Sequence, residues 1–237
     1  MLWYKGWLET RFKALFAFMY AVFPVVFLPL TERNLAPASH PAMPALQHTI
    51  GFLGFYWAAF GPPMMLAGSG IKTQTLRSQR GVHSSMLYTL SLPVSRLRLF
   101  LTRAGLGFGE LAAVLLIAPL GILVIFPTMR PNVTPRDLFE YWIAALACGI
   151  FFCSVGVLFS TFLDDLTQNW SSMAASIFFW WALTNSHVPA PLDIFNVIGA
   201  NAPLFTHSLP WAQMGVAIAA AAILCTAAFT IVRAREY

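Results

Sequence analysis

The sequence predicts an all-α polytopic membrane protein with six transmembrane helices, a leading interfacial helix, and both termini in the cytoplasm. Three observations predict it. Hydrophobic residues are 58% of the 237 and charged residues only 10%, where soluble domains carry about 45–50% and about 25%; the mean hydropathy is +0.69. The apolar residues gather into six long runs parted by short polar breaks. The basic residues fall almost entirely in alternate breaks.

The opening stretch, 1–13, sets Trp3, Tyr4 and Trp7 among Lys5, Arg11 and Lys13. Aromatic rings favour the headgroup zone and basic side chains snorkel towards anionic lipid, so a short surface helix is predicted here. A hydrocarbon core of roughly 30 Å needs about 20 apolar residues per helix. Residues 14–30 form the first such run; it is too long for a signal-peptide core, and Pro37 interrupts the small-residue tripeptide beyond it, so a retained helix is expected. Span two covers 48–71 and carries Gly61-Pro62-Pro63, which must kink or break it because proline removes a backbone donor and clashes with the preceding turn. Spans three to six cover 104–126, 138–163, 171–188 and 211–232. None alternates strictly, which argues against a transmembrane barrel. The break after span one holds Pro37, Pro41 and Pro44 and reads as irregular, whereas 189–210 is semi-apolar (Leu192, Ile194, Phe195, Val197, Ile198) and re-enters or lies at the outer interface. Little sequence is left for a soluble domain, so residues 1–237 read as one membrane domain.

Charge orients the chain. Eleven of the fourteen Lys and Arg lie in the N-terminal stretch, the C-terminal stretch (Arg233, Arg235) and the break between spans two and three (Lys72, Arg77, Arg80, Arg96, Arg98, Arg103). Only Arg33, Arg130 and Arg136 lie on the other side. The positive-inside rule puts the larger set in the cytoplasm. The net charge of +5 is thereby accounted for by topology and lipid contact, with no nucleic-acid partner implied.

The segment 72–103 carries the most information. Its first half is polar and basic; its second half repeats Met86, Leu87, Leu90, Leu97, Phe100 and Leu101 at three- and four-residue steps, the spacing of helical stripes. Ser91-Leu92-Pro93 between them reads as a helix stop followed by proline in the first turn of a new helix. A basic helix–turn–helix at the membrane surface offers a docking surface for a soluble partner.

Glu110 is read as the one carboxylate inside an apolar span, where an ionised group needs a partner or a wet cavity; a structural or gating pair is favoured over proton transport. Gly105 and Gly109 beside it have close-packing spacing. Cys148, Cys153 and Cys225 all fall in spans and read as small packing residues. Adjacent Asp164 and Asp165 read as solvated, and the five histidines lack the i, i+4 pairing of zinc proteases. The serine and glutamate patterns of intramembrane proteases are missing. No Gly-x-x-x-x-Gly-Lys-Ser/Thr loop occurs, so the chain has no phosphate site of that kind, and any ATP must be bound by a separate subunit.

The run Met86-Leu87-Tyr88-Thr89-Leu90-Ser91-Leu92-Pro93-Val94-Ser95-Arg96, with Leu99-Phe100-Leu101-Thr102-Arg103-Ala104 after it, resembles the permease subunits of ABC-2 type transporters. The six-span layout and the semi-apolar outer segment are similar too. Where that family carries an acidic residue and a Gly-Thr pair, this chain has Arg80-Gly81-Val82-His83. The resemblance implies a non-enzymatic transport subunit of a bacterial plasma membrane that holds no cofactor itself. It would dimerise and dock two ABC ATPases on the coupling segment 72–103, with Arg80, His83, Leu90, Pro93 and Arg96 at the contact. Two other classes stay open: a membrane anchor recruiting a cytoplasmic protein, and a proton-coupled transporter using Glu110.

Overall fold

Proline decides where the helical hydrogen-bond ladder is interrupted, and aromatic donors take up carbonyls left there. The structure, a computed structural model, describes residues 2–32, 43–66, 96–161, 163, 171–178, 181–182, 189, 193–199 and 202–234. The described residues form α1 (Leu2–Glu32), α2 (Met43–Phe55), a π-helical stretch (Tyr56–Phe60) and α3 (Pro62–Leu66). After these come α4 (Arg96–Leu115), α5 (Ile117–Ile125), α6 (Pro135–Ser160), α7 (Pro203–Thr206) and α8 (Trp211–Ala234). No strand occurs among them. Among the described residues, four stretches are long and apolar enough to cross a membrane: Thr10–Pro29, Ala104–Ile125, Pro135–Ser160 and Trp211–Ile231. They match the first, third, fourth and sixth expected spans. The expected fifth is described as helix over 171–178 and 181–182 only.

The expected surface helix over 1–13 is not a separate element. No proline interrupts the chain before Pro24, and α1 runs unbroken for 31 residues, about 46 Å at 1.5 Å per residue. Pro24 lies inside it and cannot donate to the Tyr20 carbonyl four residues back. The Tyr56 hydroxyl donates to that carbonyl instead, at 3.1 Å, and the Trp57 indole N–H donates to the next one, Ala21, at 2.9 Å. In hydrocarbon such a carbonyl has no water to turn to.

The expected second span breaks where Gly61-Pro62-Pro63 requires. Two successive prolines leave the α-helical ladder without donors, and the turn widens: the Gly61 N–H reaches back to the Tyr56 carbonyl at 3.2 Å, closing the π-helical stretch. The helix restarts with Met65 N–H donating to the Gly61 carbonyl. Pro119 acts likewise on the third span. It strips the Leu115 carbonyl of its donor, and α4 yields to α5 at Leu116, whose N–H turns to Ala113 at 3.4 Å. The Ala112 carbonyl released by that shift accepts from the Trp142 indole at 3.1 Å.

Helix α6 is the centre of the bundle. Of its membrane-length window 72% is buried, against 17% for α1 and 22% for α8. Small residues on it, among them Ala144, Ala145, Cys148 and Ser154, are buried and admit neighbours closely, the usual basis of helix association in lipid. A Cβ on Gly149 would stand 2.8 Å from Leu115, so this glycine lets α4 approach. Helix α8 packs on α6 through Met214, Ala217, Ala221 and Ala228, one stripe of its surface, while Trp211, Ile218 and Ile223 face outward. α6 begins at a capping box: Thr134 accepts from the Asp137 N–H, and Asp137 accepts from the Thr134 N–H at 2.8 Å. Such a box satisfies donors the first helical turn leaves free.

The described part of the semi-apolar segment 189–210 packs onto the bundle. A 3₁₀ turn, Ile194–Val197, and α7 place Val197, Ile198, Ala202 and Leu204 in the core. The Cys148 thiol points at the Ile194 carbonyl at 3.4 Å. All three cysteines are free thiols; Cys148 and Cys153 are buried.

Candidate functional site

α1 and α4 bring together two polar side chains one hundred residues apart. Thr10 lies in the last turn before α1 becomes wholly apolar, and Glu110 lies three to four turns into α4. Thr10 is 1% exposed and Glu110 7%. The threonine hydroxyl donates to Glu110 Oε1, while Glu110 Oε2 is buried with no hydrogen-bond partner. The same hydroxyl lies 3.5 Å from the Trp7 carbonyl, the local alternative open to any helical threonine. If the two helices part, Thr10 keeps a partner and Glu110 loses the one it has among the described residues.

Beside this pair lies a cavity of about 730 Å³ lined by Trp7, Arg11, Phe12, Ala14, Leu15 and Phe18 of α1 and by Glu110, Ala113 and Val114 of α4. Phe12, Leu15 and Phe18 are also exposed on the outer flank of the bundle, so the space is a groove open along an apolar face. The Arg11 guanidinium stands 5.0 Å from the Phe12 ring centroid, at the rim. Because Thr10 pairs with Glu110 and the next turns meet Ala113 and Val114, the groove has one polar end, at Arg11, Thr10 and Glu110. Its other end, towards Phe18, is apolar.

Of the expected contact and intramembrane polar residues, Glu110 is the one whose side chain and surroundings the structure describes. Its partner is the Thr10 hydroxyl. Arg80, His83, Leu90 and Pro93 lie outside the described residues; Arg96 opens α4 and is described through its backbone alone. Gly109 does not serve close packing within this chain, since a Cβ there would meet nothing within 4 Å. Nor is Glu110 the one carboxylate in an apolar span. Glu140, one turn into α6, is 6% exposed. Its Oε1 accepts from Arg136 Nε at 2.7 Å, while Oε2 has no partner. Next to it Asp137 is buried in its capping box, with His207 Nδ1 3.0 Å from Oδ1. His207 has a left-handed backbone, φ 51°, which ends α7. This second cluster clasps the semi-apolar segment to the start of α6. Among the described residues no group of three or more His, Cys, Asp or Glu could hold a metal ion.

Replacing Thr10 by valine keeps the shape and removes the donor. With both Glu110 oxygens then buried and unpaired, the Thr10→Val variant is expected to lose about 1–3 kcal/mol, read from thermal unfolding in detergent, while Thr10→Ser stays close to the parent. Equal stability of all three chains would show that the hydroxyl contributes nothing.

Fold and site together define a helical protein suited to a membrane, with a half-partnered carboxylate at the end of an apolar groove. The chain matches no protein-family model, no curated protein and no solved structure.

Proposed function

We propose that the chain is the transmembrane permease subunit of an ATP-driven ABC-2 type exporter, working as a homodimer on two separate ATPase subunits in a bacterial plasma membrane. The observation that carries this reading is the sequence run from Leu90 to Arg96, whose last residue opens α4 and which lies in the basic segment expected in the cytoplasm. A push on that run is delivered to a rigid rod of 20 residues, about 30 Å long. The rod packs on both α1 and α6 and carries Glu110. Nucleotide-driven closure of the ATPases would move α4 against α1 and strain the Thr10–Glu110 bond.

The reading predicts that the chain copurifies with an ATPase, and that Leu90→Ala, Pro93→Ala and Arg96→Ala each lower hydrolysis-coupled transport about tenfold, a usual size for a lost coupling. Reconstituted vesicles with ATP supplied inside or outside provide the measurement. Normal coupling in all three variants, or labelling of residue 93 from outside the cell, overturns it.

One observation favours a second reading. A buried carboxylate with a free oxygen is also what a proton-coupled transporter needs. Transport driven by a proton gradient without ATP, and abolished in Glu110→Gln, would select that reading over the first.

A further inference from the structure

We propose that the groove between α1 and α4 seats one anionic phospholipid, its phosphate on Arg11 and an acyl chain along Leu15, Phe18 and Val114. The direction of the groove is the first reason. The membrane-length stretch of α1 begins at Thr10, and Tyr4 and Trp7, exposed just before it, are the kind of rings that favour headgroup depth. The Arg11 end therefore lies near the headgroups and the Phe18 end within the hydrocarbon. Along the helix the two ends are about 10 Å apart, at 1.5 Å per residue, which fits inside the roughly 15 Å of one leaflet's hydrocarbon. A phospholipid enters with its own polarity, head beside Arg11 and tail beside Phe18.

Charge selects the headgroup. Arg11 and Lys13 both stand at the polar end, where the carboxylate of Glu110 is already engaged. Thr10 donates to one of its oxygens, the other is closed off from the groove, and Lys13 acts on it through space. What the groove meets is the Arg11 guanidinium, exposed and 5.0 Å from the Phe12 ring centroid. Among the described residues no carboxylate pairs with it. A ring face steadies a cation and leaves the N–H fork free, and that fork matches phosphate oxygens two at a time. A cationic amphiphile would be repelled by Arg11 and Lys13. A neutral one would leave the guanidinium without a partner, and a soluble anion would leave the apolar walls unfilled. Phosphatidylcholine brings an ammonium group of its own to the same two cations.

The open side admits a molecule already in the bilayer. Phe12, Leu15 and Phe18 form the mouth as well as the walls, and they continue into the exposed apolar stripe of α1 at Phe16, Met19 and Phe23. A helix buried over only 17% of its span presents that stripe to lipid. The lipid then bridges α1 to α4 beside the Thr10–Glu110 bond. The site stands on the groove and its charge, and is independent of what the chain transports.

The test uses the full chain in phosphatidylcholine nanodiscs, without ATP, doped with phosphatidylglycerol that carries a diazirine part-way along one acyl chain. The same photoreactive chain on phosphatidylcholine is the control, and labelled residues are quantified by mass spectrometry. Leu15, Phe18 and Val114 are expected to be labelled about fivefold more by the anionic probe, the usual size for one basic side chain near anionic lipid. Ile218 and Ile223, exposed on α8, are expected to be labelled equally by both. Arg11→Gln is expected to remove the excess and Arg11→Lys to keep most of it. Ala113→Phe fills the groove from an exposed position, keeps every charge, and is expected to abolish groove labelling by either probe while α8 is labelled as before. Equal labelling of the parent groove by the two probes overturns the site, as does an excess that persists in Arg11→Gln. An excess that survives Ala113→Phe overturns it too, and assigns the attraction to the basic opening of α1 as a whole. Absence of groove labelling by both probes, as when a second copy of the chain covers the groove, also overturns it.

Discussion

The Gly61→Val variant is expected to lose about 3 kcal/mol of stability, at the upper end for overpacking, and to be recovered from membranes mostly unfolded. The reason is space. A Cβ at position 61 would fall onto the ring of Tyr20, and that ring cannot swing aside cheaply. It is stacked on Tyr56, with centroids 4.4 Å apart and planes 7° off parallel, and Tyr56 in turn donates to the Tyr20 carbonyl. The backbone at Gly61 is also held, since its N–H closes the π-helical turn onto Tyr56 and its carbonyl starts α3. Even the first added carbon therefore strains the α1 repair and the α2 break together. Residues sharing one contact are not additive. Gly61→Ala combined with Tyr20→Ala is thus expected to cost less than the two single losses summed, in thermal unfolding of the detergent-solubilised chain. Strict additivity would mean the ring is not what confines position 61.

How much of this the sequence disclosed depends on range along the chain. The four long helices are legible because in lipid an uninterrupted apolar run has helix as its one way to satisfy its own backbone. The break at Gly61-Pro62-Pro63 is legible for the same local reason. Two further features have local signals. Thr134-Pro135-x-Asp137 has the form of a capped helix start, and it begins α6 three residues before the apolar pattern alone suggests. Glu140 was hidden by lying at the edge of that span, where charges are ordinary. What could not be read is the pairing of distant residues. Nothing in the polar, basic opening of α1 marks Thr10 as the donor to Glu110, because the choice follows from how α1 and α4 pack. The merging of residues 2–13 with the span into one helix belongs there too: aromatic and basic composition indicates affinity for an interface but says nothing of a bend.

The other large effect is expected at Trp57, where the mended proline site of α1 meets the bundle. Trp57 is 1% exposed, its indole N–H holds the Ala21 carbonyl, and its ring covers Gly121 of α5 so closely that a Cβ there would lie 3.1 Å away. Lipid offers no hydrophobic drive to hold α1 against α5, leaving packing and hydrogen bonds to do so. Trp57→Ala removes both and is expected to cost about 3–5 kcal/mol. Trp57→Phe keeps most of the ring and removes only the indole hydrogen bond to the Ala21 carbonyl, for about 0.5–1.5 kcal/mol. The two losses can be separated by refilling the space from the opposite wall. Gly121→Leu alone is expected to destabilise, since its Cβ would also stand 2.7 Å from Val25. In the Trp57→Ala background the same leucine occupies the vacated volume and is expected to restore part of the loss. The part it cannot restore measures the Ala21 hydrogen bond, and should match the deficit of Trp57→Phe. If Gly121→Leu costs as much in the Trp57→Ala chain as in the parent, the indole is not what fills the space between α1 and α5.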